Sequence, residues 1–197
     1  ETSFRKSISL QDNHIPAYLG LCNLYIKKNQ YADCQKVSEL GLTKSPRNAE
    51  LKNKLGICQW KWGQSPKAIL SFQDASSIDP NFFEPKINLA YLLIDLGRND
   101  EALEALKKAE SHPHADKEAI QKAKIFAESQ MYIKEGDTFL RQGRKKQALD
   151  LYGKALGRNP EDPSAHNAFG KAFFAFGDFK KSESSYKEAL RLDEKNL

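Results

Sequence analysis

The sequence is poor in the residues that usually carry chemistry: three cysteines, four histidines, one methionine and two tryptophans in 197 residues. Cys22, Cys34 and Cys58 form no metal-spaced C-x-x-C pair. An odd count argues against a disulfide framework and favours a reducing compartment, which is otherwise left open. There is no glycine-rich phosphate loop, nucleophile elbow or H-E-x-x-H, so neither catalysis nor a cofactor is expected. His112 and His114 flank Pro113 in an H-x-H spacing that could bind metal, but no carboxylate or thiol partner is identifiable, and no metal is expected. No apolar run approaches the roughly 18 residues needed to span a bilayer, so direct membrane insertion is not expected. No signal-peptide pattern opens the chain, which begins at Glu1 as a processed or truncated piece would.

Charge of one sign is also not concentrated. The net +5 is spread over 12 basic and 9 acidic side chains in residues 1–97 and 19 and 17 in residues 98–197. Nucleic-acid binders usually gather Lys and Arg on one stripe, so none is expected as a partner. The one dense basic cluster, Arg141, Arg144, Lys145 and Lys146, falls at a predicted turn and reads as solvated.

What the sequence does have is a period. Gly63 and Gly97 are 34 residues apart, as are Gly143 and Gly177. Five residues after each stands a small residue: Ala68, Ala102, Ala148 and Ser182. Ala75, Ala109, Ala155 and Ala189 follow seven residues later, each preceded at three residues by Phe72, Leu106, Tyr152 or Tyr186. Pro46, Pro80 and Pro160 punctuate three of the units. Small residues in step suit close helix crossings, large ones fill the space beside them, and the glycines suit left-handed helix caps.

This register resembles the tetratricopeptide repeat family. The clearest unit reads Leu55-Gly56, Gly63, Ala68, Phe72, Ala75 and Pro80; the first reads Tyr18, Leu21, Cys22, Tyr25, Asn29, Cys34, Gly41 and Pro46. The resemblance implies an all-α, right-handed solenoid of helix-turn-helix repeats. Five repeats are expected at 15–48, 49–82, 83–116, 129–162 and 163–197, with 1–14 (Phe4, Ser7, Asp12) as the end of a preceding repeat helix. In that register Cys22 and Cys34 share one helix crossing, as two buried thiols. Glu135 stands where an apolar residue is expected, and His166 where a large aromatic is. With no obvious polar cap at its end, the chain is expected to be part of a longer array or docked to another domain.

Twelve residues, 117–128, are inserted between the third and fourth units. The stretch 115–142 predicts one helix of about 26 residues with Asp116 as its N-cap. Its stripe of Ala119, Ile120, Ala123, Phe126 and Ala127 needs cover, either from the neighbouring repeat or from a partner.

The resemblance also implies a non-catalytic scaffold that receives a protein or peptide in a concave groove lined by first helices. The groove residues are then Asn23, Asn53, Lys54, Trp60, Asn88, Tyr91, Lys134, Asn167 and Lys171, with Ile57 and Ile94 adding apolar pockets. Asparagine offers both donor and acceptor to a peptide backbone. The carboxylate clamp of the chaperone-binding members is not matched: of Leu19, Asn23, Lys54, Glu84 and Asn88 only Asn23 fits, and Glu84 would repel a carboxylate. The alternative reading is an architectural subunit that self-associates, or joins a multi-subunit complex, through the 115–130 extension and the repeat ends. An RNA-binding helical repeat would have to tolerate acids at Glu84, Asp95 and Asp137.

Overall fold

The computed structural model describes residues 14–113 and 115–194; Phe4, Ser7, Asp12 and His114 lie outside them. Among the described residues it is all α-helix: α1 Ile15–Lys27, α2 Tyr31–Lys44, α3 Ala49–Lys61, α4 Ser65–Ile78, α5 Glu84–Asp95, α6 Asn99–Glu110, α7 Lys117–Arg141, α8 Lys145–Arg158, α9 Pro163–Ala175 and α10 Phe179–Glu194. No described helix is long and apolar enough to cross a membrane. Two compact units share the chain, one of Glu1–Asp95 with Glu104–Ile120 and one of Leu96–Leu103 with Gln121–Leu197.

Local chemistry explains where the helices stop. Four first helices end at Gly63, Gly97, Gly143 and Gly177, with φ between 70° and 78°, and Asn29 takes the same place after α1 at φ 56°. Asparagine tolerates this left-handed state better than other residues with a β-carbon. The backbone N–H of Gln64 donates to the Gln59 carbonyl at 2.7 Å, and Gln30 to Tyr25 and Arg144 to Phe139 at 2.9 Å, satisfying carbonyls the helix leaves open. Second helices end differently. Ser45, Asp79 and Asn159 each precede a proline and sit near φ −138°, −130° and −135°, outside the helical region. Several helices begin on a polar cap: Asn48 Oδ1 accepts from the Leu51 N–H at 2.8 Å, and Asp162 Oδ1 from Ser164 at 2.9 Å.

The small residues do mark the crossings, with one refinement. A β-carbon on Gly56 would stand 2.6 Å from Phe72, one on Gly136 2.5 Å from Tyr152, and one on Gly170 2.7 Å from Tyr186. The aromatic ring of the second helix thus lies over the glycine itself, and is not set beside a small–small contact. The two positions, 16 residues apart, trade size. Ala90 is matched by Leu106 in the third repeat, and Cys22 by Ser38 in the first, with the Cys22 sulfur 3.1 Å from the Ser38 hydroxyl. All four are buried. Ala with Leu keeps about the summed volume of Gly with Phe or Tyr, an exchange a close-packed interior tolerates, whereas Cys22 with Ser38 is a smaller pair joined by a polar contact.

The first unit packs around Leu21, Cys22, Tyr25, Cys34 and Cys58, and around Ala68, Phe72 and Leu92; the second around Ile133, Ala148, Tyr152, Ala155, Ala165, Ala168 and Ala172. The cysteine expectation needs correction. Cys34 on α2 and Cys58 on α3, with Cα atoms 6.0 Å apart, form a disulfide, and Cys22 is the buried free thiol. The repeat register placed Cys34 against its own first helix, whereas it equally faces the next one.

The inserted residues extend α7 to 25 residues, with Asp116 Oδ1 accepting from the Ala119 N–H at 3.0 Å. Ile120, Ala123 and Ala127 are fully buried, so this stripe is covered within the chain.

Candidate partner-binding surface

In the first unit the projected residues fall on α1, α3 and α5, and their exposure differs. Asn23 on α1 is exposed, while Lys54, Trp60, Asn88 and Tyr91 are half-buried. Asn53 and Ile94 are buried, at 4% and 5% exposure. This corrects the expectation that both meet a ligand. The Asn88 amide donates to Asn53 Oδ1 at 2.9 Å, so Asn53 acts as a support that holds Asn88. Asn88 keeps its own carbonyl and a second N–H. Seven residues on, the Trp60 indole N–H donates to an Asp95 carboxylate oxygen at 3.0 Å, while Lys61 Nζ lies 4.4 Å from the Trp60 ring. Two cross-helix bonds, Asn53–Asn88 and Trp60–Asp95, therefore fix donors, acceptors and an aromatic ring on one face of the α3–α5 pair. Burial holds the Cys22 thiol above its ordinary range, against the opposing pull of the Ser38 hydroxyl and then of the Lys54 charge.

In the second unit Lys134 and Lys171 are exposed and Asn167 is half-buried. Lys134 Nζ donates to the Gly97 carbonyl at 2.9 Å, beside an open recess of about 320 Å³ that also involves Asn99, Asp100 and the exposed Glu135. Asp137 accepts from the Tyr152 hydroxyl at 2.7 Å. Burial, then this carboxylate, push the Tyr152 phenol well above its ordinary value. Asn167 belongs to a larger groove between α9 and α10.

Sequence reasoning missed one exposed aromatic pair. Phe174 and Phe179, 62% and 63% exposed, meet edge to face at 5.6 Å. The signal was available, because Phe174 is the twelfth residue of its repeat, as Trp60 is of the second.

The other candidate features have ordinary explanations. Arg144 stacks on Phe139 at 4.6 Å and Lys145 on Phe176 at 5.3 Å, so the basic turn is partly engaged with rings. His112 packs against the Phe83 ring at 5.2 Å, and a His166 ring nitrogen is 3.1 Å from the Pro160 carbonyl. Among the described residues no group of three His, Cys, Asp or Glu side chains could hold a metal ion.

Repeated helix pairs that expose ordered polar and aromatic side chains along one face define a helical-repeat interaction scaffold. Tetratricopeptide repeat models match residues 63–125 and 133–196, and the chain belongs to the tetratricopeptide repeat family. It is 28% identical over 189 residues to RNA polymerase-associated protein CTR9 of Saccharomyces cerevisiae, covering 88% of this chain and 17% of that protein. It is 22% identical to Hsp70-Hsp90 organizing protein 1 of Glycine max, covering 96% of this chain and 32% of that protein. The chain thus spans about a sixth of the first relative and about a third of the second. A tetratricopeptide repeat protein from Parabacteroides merdae superimposes with a TM-score of 0.67 at 12% identity, over 97% of this chain and 84% of its own. YrrB, described as having an unusual peptide-binding site, gives 0.54 at 16% identity, over 96% and 91%. These structures speak for the fold alone.

Proposed function

We propose that this scaffold holds an extended peptide segment of a partner protein on the first-helix face of its first unit, along α1, α3 and α5. The observation that carries the reading is the pair of cross-helix bonds, Asn88–Asn53 at 2.9 Å and Trp60–Asp95 at 3.0 Å. They order the side chains that would touch a ligand before it arrives, which lowers the ordering cost of binding. Asn88 offers a carbonyl and an N–H to a peptide backbone, Lys54 a positive charge, and Trp60 an apolar surface. Because Glu84 and Asp95 lie among these groups, the ligand is expected to carry a basic or neutral side chain near Trp60, and recognition is not built around a terminal carboxylate. The clamp residues of the chaperone-binding members are not matched here, so recognition of that kind is not proposed for this surface.

The test is selection of binders from a random peptide library, followed by anisotropy with the selected peptides. Lys54→Glu combined with Asn88→Ala should weaken binding at least tenfold; the second change also strands the buried Asn53 carbonyl, so Lys54→Glu alone, which should weaken binding with an unchanged melting curve, is the control. Selected peptides that bind the double variant equally well would reject this face. Assembly through the 115–130 extension is not favoured, since Ile120, Ala123 and Ala127 are already covered.

A further inference from the structure

At the seventh position of the repeat stand Leu21, Leu55, Leu89, Glu135 and Phe169 in turn. Leu21 and Leu55 are buried, and Leu89 and Phe169 pack against the cores of their units, whereas Glu135 is exposed. It lines the recess of about 320 Å³ between the 97–100 turn and α7, with Asn99, Asp100, Met131 and Lys134. Asp100 departs from the pattern too, since the matching residues are Ala32, Pro66, Lys146 and Lys180. Two carboxylates thus meet where the other repeats offer apolar or basic side chains. Asn99 is only 5% exposed, yet its Oδ1 accepts no hydrogen bond. A buried polar atom without a partner is rare and asks for an explanation. Among the described residues no Lys or Arg forms an ion pair with Asp100 or Glu135. The cations around them are committed elsewhere. Arg98 forks onto Glu101 at 2.7 and 2.6 Å, Lys154 bonds Asp150 at 2.9 Å, and Lys134 Nζ donates to the Gly97 carbonyl at 2.9 Å. With Lys134 counted, Asp100 and Glu135 leave the recess one negative charge.

We infer that this recess binds a guanidinium group. The recess is short of donors, and a guanidinium brings five of them in one planar fork with a positive charge. Asp100 and Glu135 take the charge-assisted bonds, and the Asn99 amide turns about its last torsion to present its carbonyl. Met131 gives the apolar stem a surface to lie on. An ammonium concentrates its three donors at one point and serves three separated acceptors less well. A calcium ion needs more oxygens than these side chains hold. The same chemistry fits an arginine side chain on a polypeptide segment and a free guanidinium compound, which the test separates. The recess shares no residue with the α1–α3–α5 face, so its test stands apart from that of the peptide-binding reading.

The full chain, labelled with nitrogen-15, is titrated with ethylguanidinium and, separately, with the capped peptide Gly-Ser-Arg-Ser-Gly, and followed by amide shifts. Saturable changes centred on Asn99, Asp100 and Glu135 are expected. Glu135→Gln removes one charge-assisted bond and should raise Kd about tenfold. Lys134→Met should lower Kd, because it removes the one positive charge and frees the Gly97 carbonyl; an anion site would respond in the opposite sense and overturn the inference. Glu135 and Lys134 are both exposed, so these variants should melt as the parent does. A peptide that binds at least tenfold more tightly than ethylguanidinium assigns the recess to an arginine within a chain, and equal affinities assign it to a free compound. Shifts that fail to saturate with either probe, or that ignore Glu135→Gln, would overturn the inference. Equal binding of the peptide with Lys in place of Arg would overturn the choice of a guanidinium.

Discussion

The ring of Tyr152 lies across Gly136, with Cε1 only 2.5 Å from where a β-carbon on residue 136 would stand. The ring is fully buried and its hydroxyl is tied to Asp137, so it has nowhere to retreat. The same relation joins Gly56 to Phe72 and Gly170 to Tyr186.

Gly136→Ala should therefore lower stability by about 1–3 kcal/mol, the usual cost of overpacking. Gly153 on α8 has nothing within 4 Å of its would-be β-carbon, so Gly153→Ala should raise stability by about 0.5–1 kcal/mol through helix propensity alone. Adding Tyr152→Leu to Gly136→Ala reproduces the Ala90–Leu106 pairing and should recover part of the loss. Urea denaturation of the three variants measures this; equal effects of the two alanine changes would contradict the size trade-off.

Asp162 caps α9 and takes two further bonds from α7, all while 2% exposed. Asp162→Ala removes the cap and strands the buried Ser129 hydroxyl, at a cost of about 1–3 kcal/mol. Asp162→Asn preserves the cap oxygen and should cost less. Thermal melts order the three proteins, and hydrogen exchange should show the loss first at the start of α9.

The raised phenol of Tyr152 links stability to alkaline pH. Its folded pKa lies above the ordinary value of 10.0, so the folded state favours the neutral phenol. This contribution is complete below pH 10 and is lost as pH rises beyond it, because the unfolded chain ionises first. Absorbance at 295 nm should show Tyr152 ionising only as the protein unfolds, as the difference between the parent and Tyr152→Phe. Tyr152→Phe should remove that step and flatten the alkaline fall in stability.

Much of this was readable from local order. Proline after a second helix, glycine or Asn29 at a left-handed cap and Asp116 at a helix start each act within a few residues of where they stand. The period of 34 made them visible together. The 115–142 stretch likewise lacks a breaker, since its internal glycine, Gly136, is there for a crossing and leaves α7 unbroken.

Other features depend on neighbours far away in the chain. Asn53 and Asn88 looked equivalent as polar first-helix residues, yet one is buried beneath the other because α3 and α5 pack side by side. Ile94 looked like an open pocket and is core. Cys34 was assigned to Cys22 by repeat logic, but the following repeat brings Cys58 to it. Phe174 occupies Trp60's register position and stands in the open, where Trp60 is half-covered and bonded to Asp95. The amino-acid order by itself determined the repeat, its caps and its small–large pairs, because these are short-range steric and conformational effects. Which of those side chains remain available to a partner was decided only by tertiary packing, since burial depends on what the next helix pair brings against each face.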